Sequence, residues 1–309
     1  MSTRRRFLQG MGGAAAAALF SGSTPLASGR PRRSKPMQPP FKISLAQWSL
    51  HRQLGSGELD NLDFAKVAKE KFGIEAVEYV NSFFKAYAGD FEYLGRMKAR
   101  AEEVGVKSLL IMIDGEGLLA DADPDRRRQA VENHFKWIAA AKFLGCHSIR
   151  VNAGGSGEPE EQAERAAESL VRLARVAEPY DLNVIVENHG GLSSNGAWLS
   201  GVMKRVNNPR VGTLPDFGNF NLGQGEQYDR YLGVSEMMPF AKAVSAKSHD
   251  FDEHGNETGT DFEKMMRIVL DAGYHGHVGI EYEGSSLPEE AGIQKTKDLL
   301  LRILRQESP

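Results

Sequence analysis

Between residues 41 and 305 a short apolar run gives way eight times to a longer stretch with helical spacing. The apolar runs at 42–49, 76–80, 106–113, 147–152, 182–187, 211–215, 243–249 and 277–283 are too short for buried helices. Most open on Val, Ile, Leu or Ala and turn polar at their C-terminal ends, so they are predicted strands. The stretches at 58–72, 90–104, 124–144, 159–180, 197–206, 228–241, 261–272 and 287–305 are predicted helices. Strands separated by helices cannot pair as hairpins. They form a parallel sheet through right-handed crossovers.

Eight units in about 265 residues is the count and size of a parallel eight-stranded (β/α)8 TIM barrel. An open doubly wound sheet would carry a glycine-rich phosphate turn after its first strand, and Gln47-Trp48-Ser49-Leu50-His51 is nothing like one. Local signals agree with the alternation. Asp123-Pro124 places a capping carboxylate before a first-turn proline. Gly73, Gly105, Gly145 and Gly273 each stand where a helix should stop. Connections after the helices are short, whereas those after the strands, such as 81–89, 114–123 and 217–227, are long and polar.

In such a barrel chemistry collects at the C-terminal ends of the strands, and the polar residues of this chain collect there too. Glu187, Asp216, His249 and Glu281 end predicted strands five to eight. Three hard oxygen donors and one imidazole converging from four strands make the ligand set of one divalent metal ion, Mn, Zn, Co or Mg. Side chains alternate along a strand, so Ser245, Lys247 and His249 share one face, as do Glu281 and Glu283. A carboxylate ending the Val-Ile-Val run before Glu187 needs a compensating cation. Around the same mouth stand Trp48, His51, Glu78, Asn152, Asn219 and His189. Trp48, Phe83, Phe84 and Tyr87 offer aromatic faces in the loops after strands one and two.

Composition excludes several classes. The chain is 41% hydrophobic and 26% charged with a net charge of −3, so it carries no nucleic-acid footprint. Cys146, its one cysteine, cannot form an intrachain disulfide. Beyond the N-terminus no run approaches the roughly 20 apolar residues of a membrane span. The N-terminus itself, Thr3-Arg4-Arg5-Arg6-Phe7-Leu8-Gln9 followed by an Ala/Gly-rich stretch, resembles a twin-arginine export signal. Residues 1–28 are therefore expected to be a signal peptide and 29–40 a Pro-rich linker, with the barrel over 41–309. The protein is expected to be periplasmic or extracellular. No Cys follows the small residues, so no lipid anchor is expected.

The segments VIVENHGG (184–191), LPDFGNF (214–220), AKSHDFDEHG (246–255) and GYHGHVGIEYEG (273–284) resemble the xylose isomerase-like TIM barrel superfamily of sugar isomerases and epimerases. The resemblance implies one divalent metal held by Glu187, Asp216, a strand-seven residue and Glu281, with the two glutamates shuttling a proton on a sugar. Lys247 and His189 would hold or protonate the oxyanion. Family members often carry a His three residues after the strand-six Asp, where this chain has Asn219. Aligning Lys247 with the family's strand-seven Lys puts Ser245 at the ligand position, so Ser245, Lys247 and His249 all stay open for it. The implied activity is metal-dependent isomerisation or epimerisation of a sugar or keto-sugar, and the expected export points to a non-phosphorylated one. The alternatives are a 3-keto-glycoside lyase or hydrolase on the same site, and a non-catalytic carbohydrate-binding barrel. Barrels of this kind often pair, so a homo-oligomer is compatible with the chain.

Overall fold

The computed structural model describes residues 39–307; the expected signal peptide and residues 29–38 of the linker lie outside the described residues. Eight parallel strands form one sheet: β1 Lys42–Ala46, β2 Ala76–Val80, β3 Lys107–Met112, β4 Ser148–Val151, β5 Asn183–Glu187, β6 Val211–Leu214, β7 Val244–Ser248 and β8 His277–Tyr282. Pairing runs without interruption from β6 back to β1, then through β8 to β7. The seam between β6 and β7 is joined by bridges at Thr213–Ala241 and Asp216–Ser245. Ser245 N donates to Pro215 O at 2.9 Å and Phe217 N to Ser245 O at 3.1 Å. The sheet thus curls into the expected (β/α)8 barrel, and its seam sets Asp216 against Ser245.

The helices follow from their ends. Asp123 accepts hydrogen bonds from Asp125 N and Arg126 N, both at 2.9 Å, and Pro124 occupies the first turn. Gly145 ends the helix Phe135–Leu144 at φ 84°, a left-handed conformation that costs a residue with a Cβ far more. Elsewhere the outcome is shorter than the pattern suggests. The first strand stops at Ala46 because Gln47 turns away: its Oε1 accepts from Val80 N at 2.9 Å and its Nε2 donates to Asn61 Oδ1 at 2.6 Å. A short helix, His51–Ser56, fills the following loop. The predicted helix over 228–241 shrinks to Arg230–Met237, after a small hairpin of Asn221–Gly223 with Glu226–Gln227. His134 is buried, and its Nδ1 lies 2.7 Å from Ala130 O.

Two apolar layers hold the barrel. The outer one packs strands on helices and includes Tyr79, Trp137, Phe217, Phe262 and Tyr282. The inner one fills the barrel with Ala46, Val80, Leu110, Met112, Ile185, Leu214 and Ala243, and Trp48 and Phe83 pack against it. Each buried Val, Leu or Ile contributes about 1.5–3 kcal/mol, which offsets the charged groups carried at the mouth. Gly155 serves packing after β4: a Cβ there would stand 2.4 Å from Ala120 O. Among the described residues no helix is long and apolar enough to cross a membrane.

Candidate metal centre and active site

Glu187 ends β5, Asp216 follows β6 and Glu281 lies near the end of β8, and all three are buried. One oxygen from each lies within 4.8 Å of the others. One oxygen of every carboxylate is held by a fixed donor. Asn219 Nδ2 donates to Glu187 Oε1 at 3.0 Å. Gly218 N and Asn219 N donate to Asp216 Oδ1 at 2.8 and 2.9 Å. Lys247 Nζ lies 3.2 Å from Glu281 Oε1. The second oxygens are poorly served. Ser245 Oγ lies 2.7 Å from Asp216 Oδ2 and 3.1 Å from Glu281 Oε2, but its single proton serves one of them at a time. Arg150 Nε lies 2.7 Å from Glu187 Oε2, yet its N–H is not aimed at that oxygen, and neither atom makes a hydrogen bond among the described residues.

Too little positive charge reaches the cluster. Burial, opposed by Arg150 and reinforced by Glu281 and Asp216, pushes the Glu187 carboxyl well above its ordinary pKa. Burial also pushes Asp216 up to about 6, against the pull of Lys247. Lys247 shows the converse. Its burial would lower its pKa, but Asp216, Glu281, Glu187 and Glu283 around it raise it well above the ordinary lysine range. Lys247 Nζ also lies 3.1 Å from Glu283 Oε2. Three buried carboxylates with under-served oxygens fit a divalent cation, which would supply the missing charge.

The other expected site residues fall into three places. Asn219 lies inside the cluster, donating to Glu187 and accepting from Lys247 Nζ at 3.2 Å. Asn152, Trp48, Phe83, His51 and His189 stand around the mouth. Asn152 Nδ2 donates to Asp114 Oδ1 at 2.6 Å, which also accepts from Arg150 Nη1 at 2.7 Å. Trp48 Nε1 donates to Glu283 Oε1 at 2.6 Å and stacks on His51 at 4.8 Å between centroids. Phe83 lies 6.0 Å from Trp48. His189 is exposed at the rim, tied by its backbone N to Ser193 Oγ at 2.9 Å. Glu78, His249, Phe84 and Tyr87 lie apart from the mouth cluster. Glu78 is buried within the barrel, where Ser44 Oγ donates to its Oε1 at 2.6 Å and its Oε2 has no hydrogen-bond partner among the described residues. Burial pushes its carboxyl up to about 7. Phe84 is buried against Tyr79 and Trp137, and Tyr87 stacks on Tyr93. The His249 side chain is 48% exposed, and its Nε2 is 3.8 Å from Glu283 Oε2, outside the triad.

Arg150 was legible as a cation inside the apolar run Ser148-Ile149-Arg150-Val151, where a buried charge requires partners. Its link from Glu187 to Asp114 spans three strand ends and carries no local signal. The same is true of Asn188, whose Oδ1 accepts from Asp216 N at 2.7 Å and steadies the β6 end.

Residues 51–303 match the xylose isomerase-like TIM barrel family, and the chain belongs to it. Among solved structures, D-psicose 3-epimerase with D-tagatose from Clostridium cellulolyticum H10 superposes with a TM-score of 0.66 at 14% identity, covering 85% of this chain and 99% of that one. The IOLI protein with a bound zinc atom gives 0.67 at 16%, covering 86% and 99%. A xylose isomerase-like TIM barrel protein from Mycobacterium smegmatis in complex with magnesium gives 0.66 at 15%, covering 87% and 99%. At these identities the likeness is one of fold. In sequence, the alpha subunit of a C-glycoside deglycosidase from Arthrobacter globiformis is 35% identical over 54 residues. That match spans 18% of this chain and only 15% of the deglycosidase subunit.

Proposed function

We propose that this chain is a divalent-metal-dependent sugar isomerase or epimerase acting on a non-phosphorylated sugar or keto-sugar. The observation that carries the reading is the buried triad Glu187, Asp216 and Glu281, each with one oxygen fixed and one under-served. A cation held there would polarise a substrate carbonyl and stabilise the charge of an enediolate. Glu187 and Glu281 stand on different strands, so one carboxylate removes the proton next to the carbonyl and the other returns it. Lys247, held protonated by its acidic neighbours, donates to the developing oxyanion, and His189 guards the rim. Trp48 and Phe83 supply the apolar wall for the sugar ring. A mouth so rich in carboxylates disfavours a phosphorylated substrate. Residues 1–28 serve, on this reading, as a twin-arginine export signal that delivers the folded protein out of the cytoplasm.

A second reading shares the first step: proton abstraction from a 3-keto-glycoside followed by β-elimination of the aglycone. The sequence match to a C-glycoside deglycosidase subunit favours it. One experiment tests both. The metal-loaded protein is incubated in D2O with a panel of ketoses and 3-keto-glucosides and followed by NMR. Deuterium entering beside the carbonyl of the intact sugar is the result expected of the first reading, and release of the aglycone with loss of the proton beside the carbonyl is that expected of the second. Absence of both exchange and aglycone release on the whole panel overturns both. Glu281→Gln should abolish the exchange while circular dichroism stays unchanged.

A further inference from the structure

We propose that Ser245 is the fourth protein donor of the metal centre, giving an all-oxygen site that favours hard cations, Mg2+ or Mn2+, more strongly than an imidazole-containing site would. This rests on the metal reading above and concerns what the strand-seven position supplies. Ser245 is fully buried, and the β6–β7 bridge fixes it beside Asp216. Its register partner on β8 is Gly279, two residues before Glu281. The hydroxyl is therefore wedged between Asp216 Oδ2 and Glu281 Oε2 at 2.7 and 3.1 Å. One proton cannot satisfy both, so whichever oxygen is not served faces an Oγ lone pair. A cation entering that gap would turn the repulsive contact into coordination by all three oxygens.

The rival strand-seven donors are otherwise committed. Lys247 Nζ lies 3.2 Å from Glu281 Oε1, 3.1 Å from Glu283 Oε2 and 4.0 Å from Asp216 Oδ2, and an ammonium so paired has no lone pair to offer. His249 stands two residues further along, half exposed beside Glu283. Asn219, after β6, is committed too: its amide N–H donates to Glu187 and its carbonyl accepts from Lys247. Among the described residues no imidazole or thiol joins the triad. Carboxylate and hydroxyl oxygens suit Mg2+ and Mn2+, whereas imidazole nitrogen adds most to binding of Zn2+ and its neighbours.

The test uses the full chain freed of metal by a chelator. Mn2+ is titrated in while free Mn2+ is followed by EPR, and Zn2+ is then added as competitor. Wild type should bind one Mn2+. Ser245→Ala should bind it about tenfold or more weakly with an unchanged circular dichroism spectrum, and His249→Ala should bind as wild type does. Ser245→His should raise the Zn2+/Mn2+ affinity ratio at least about tenfold. Undiminished Mn2+ binding by Ser245→Ala, or an unchanged ratio in a folded Ser245→His, overturns the assignment of Ser245 while leaving the metal reading intact. If Ser245→His does not fold, Ser245→Ala decides alone. A wild type that binds none of Mg2+, Mn2+ or Zn2+ overturns the metal reading itself.

Discussion

The two mouths of the barrel carry ionisable residues at comparable positions and treat them in opposite ways. At the N-terminal mouth stand Lys42 and Lys107, both exposed, with His147 and the half-buried His277, and Lys42 is the register partner of His277. Burial, with Lys42, His147 and Lys107 nearby, pushes His277 down to about 4. Its charge is given up rather than matched. At the C-terminal mouth Asp216, Glu187, Glu281 and Lys247 are more deeply buried, and burial pushes Glu187 and Asp216 up as well, but there backbone and side-chain donors and two cations, Arg150 and Lys247, stand against the carboxylates. Burying charge is expensive, and a scaffold sheds it by neutralisation where nothing opposes it. Of the two mouths, the C-terminal one gathers opposite charges and donors against that cost, and that asymmetry is the strongest physical sign of where a site lies.

The comparison breaks most visibly in activity. Glu281→Gln should lower turnover about a thousandfold or more, within the range of a lost general acid–base group, whereas Lys107→Met at the other mouth should leave it unchanged. Steady-state kinetics on whichever substrate shows deuterium exchange would decide, and a loss at Lys107 would end the distinction between the ends.

Stability should divide in the same way. Lys247→Met strips the cluster of its central cation and leaves Asp216, Glu281 and Glu283 facing one another. It should cost about 3–5 kcal/mol in the metal-free protein, as removal of one member of a buried ion pair does. Urea titration with and without added divalent metal checks this, with most of the loss restored by the metal. An equal loss in both conditions would mean that the lysine serves packing alone.

Glu78 lies between the two mouths and sharpens the contrast. Its folded pKa, about 7, is above the carboxylate's ordinary value. The stability it contributes is therefore complete below about pH 4.5 and is lost as pH rises through 7. Glu78→Gln should flatten that decline and leave the variant more stable than wild type at pH 8, by up to ~3 kcal/mol. Thermal melts of the metal-free protein between pH 5 and 8 give the answer. Gly279 makes room for the carboxyl: a Cβ there would lie 2.6 Å from Glu78 Oε1. A neutral amide of the same shape should fit as well.

The fold was legible because its signals are local. Apolar runs, Asp123-Pro124 and the glycines after the helices each act within a few residues, and the barrel follows from repeating them eight times. Glu187, Asp216 and Glu281 were legible as polar ends of apolar strands. Alternation gives the face a side chain occupies but not its height in the barrel. His249 shares the face of Lys247, yet two residues of strand, roughly 6–7 Å, carry it toward the rim and Glu283. Ser245 carried little signal of its own, since a serine in a strand is ordinary. Its importance comes from the β6–β7 seam, which joins residues 29 positions apart. Arg150 to Glu187 is the same kind of relation, set by closure of the sheet and not by neighbouring sequence.

The smallest expected effect lies at the quiet mouth. His277 has a folded pKa lowered to about 4, so the unfolded chain takes up its proton first on acidification. Its contribution is complete above about pH 6.5 and is lost as pH falls toward 4. His277→Gln should remove that acid-side loss, worth about 1–2 kcal/mol once its partial exposure is allowed for, and should change neither metal binding nor the pH profile of turnover. Melts of wild type and variant between pH 4 and 7.5, with Mn2+ titrations at pH 7, test both halves. A shift in metal affinity would mean that the two ends of the barrel are coupled through the inner apolar layer. The N-terminal mouth would then have to be counted as part of the site.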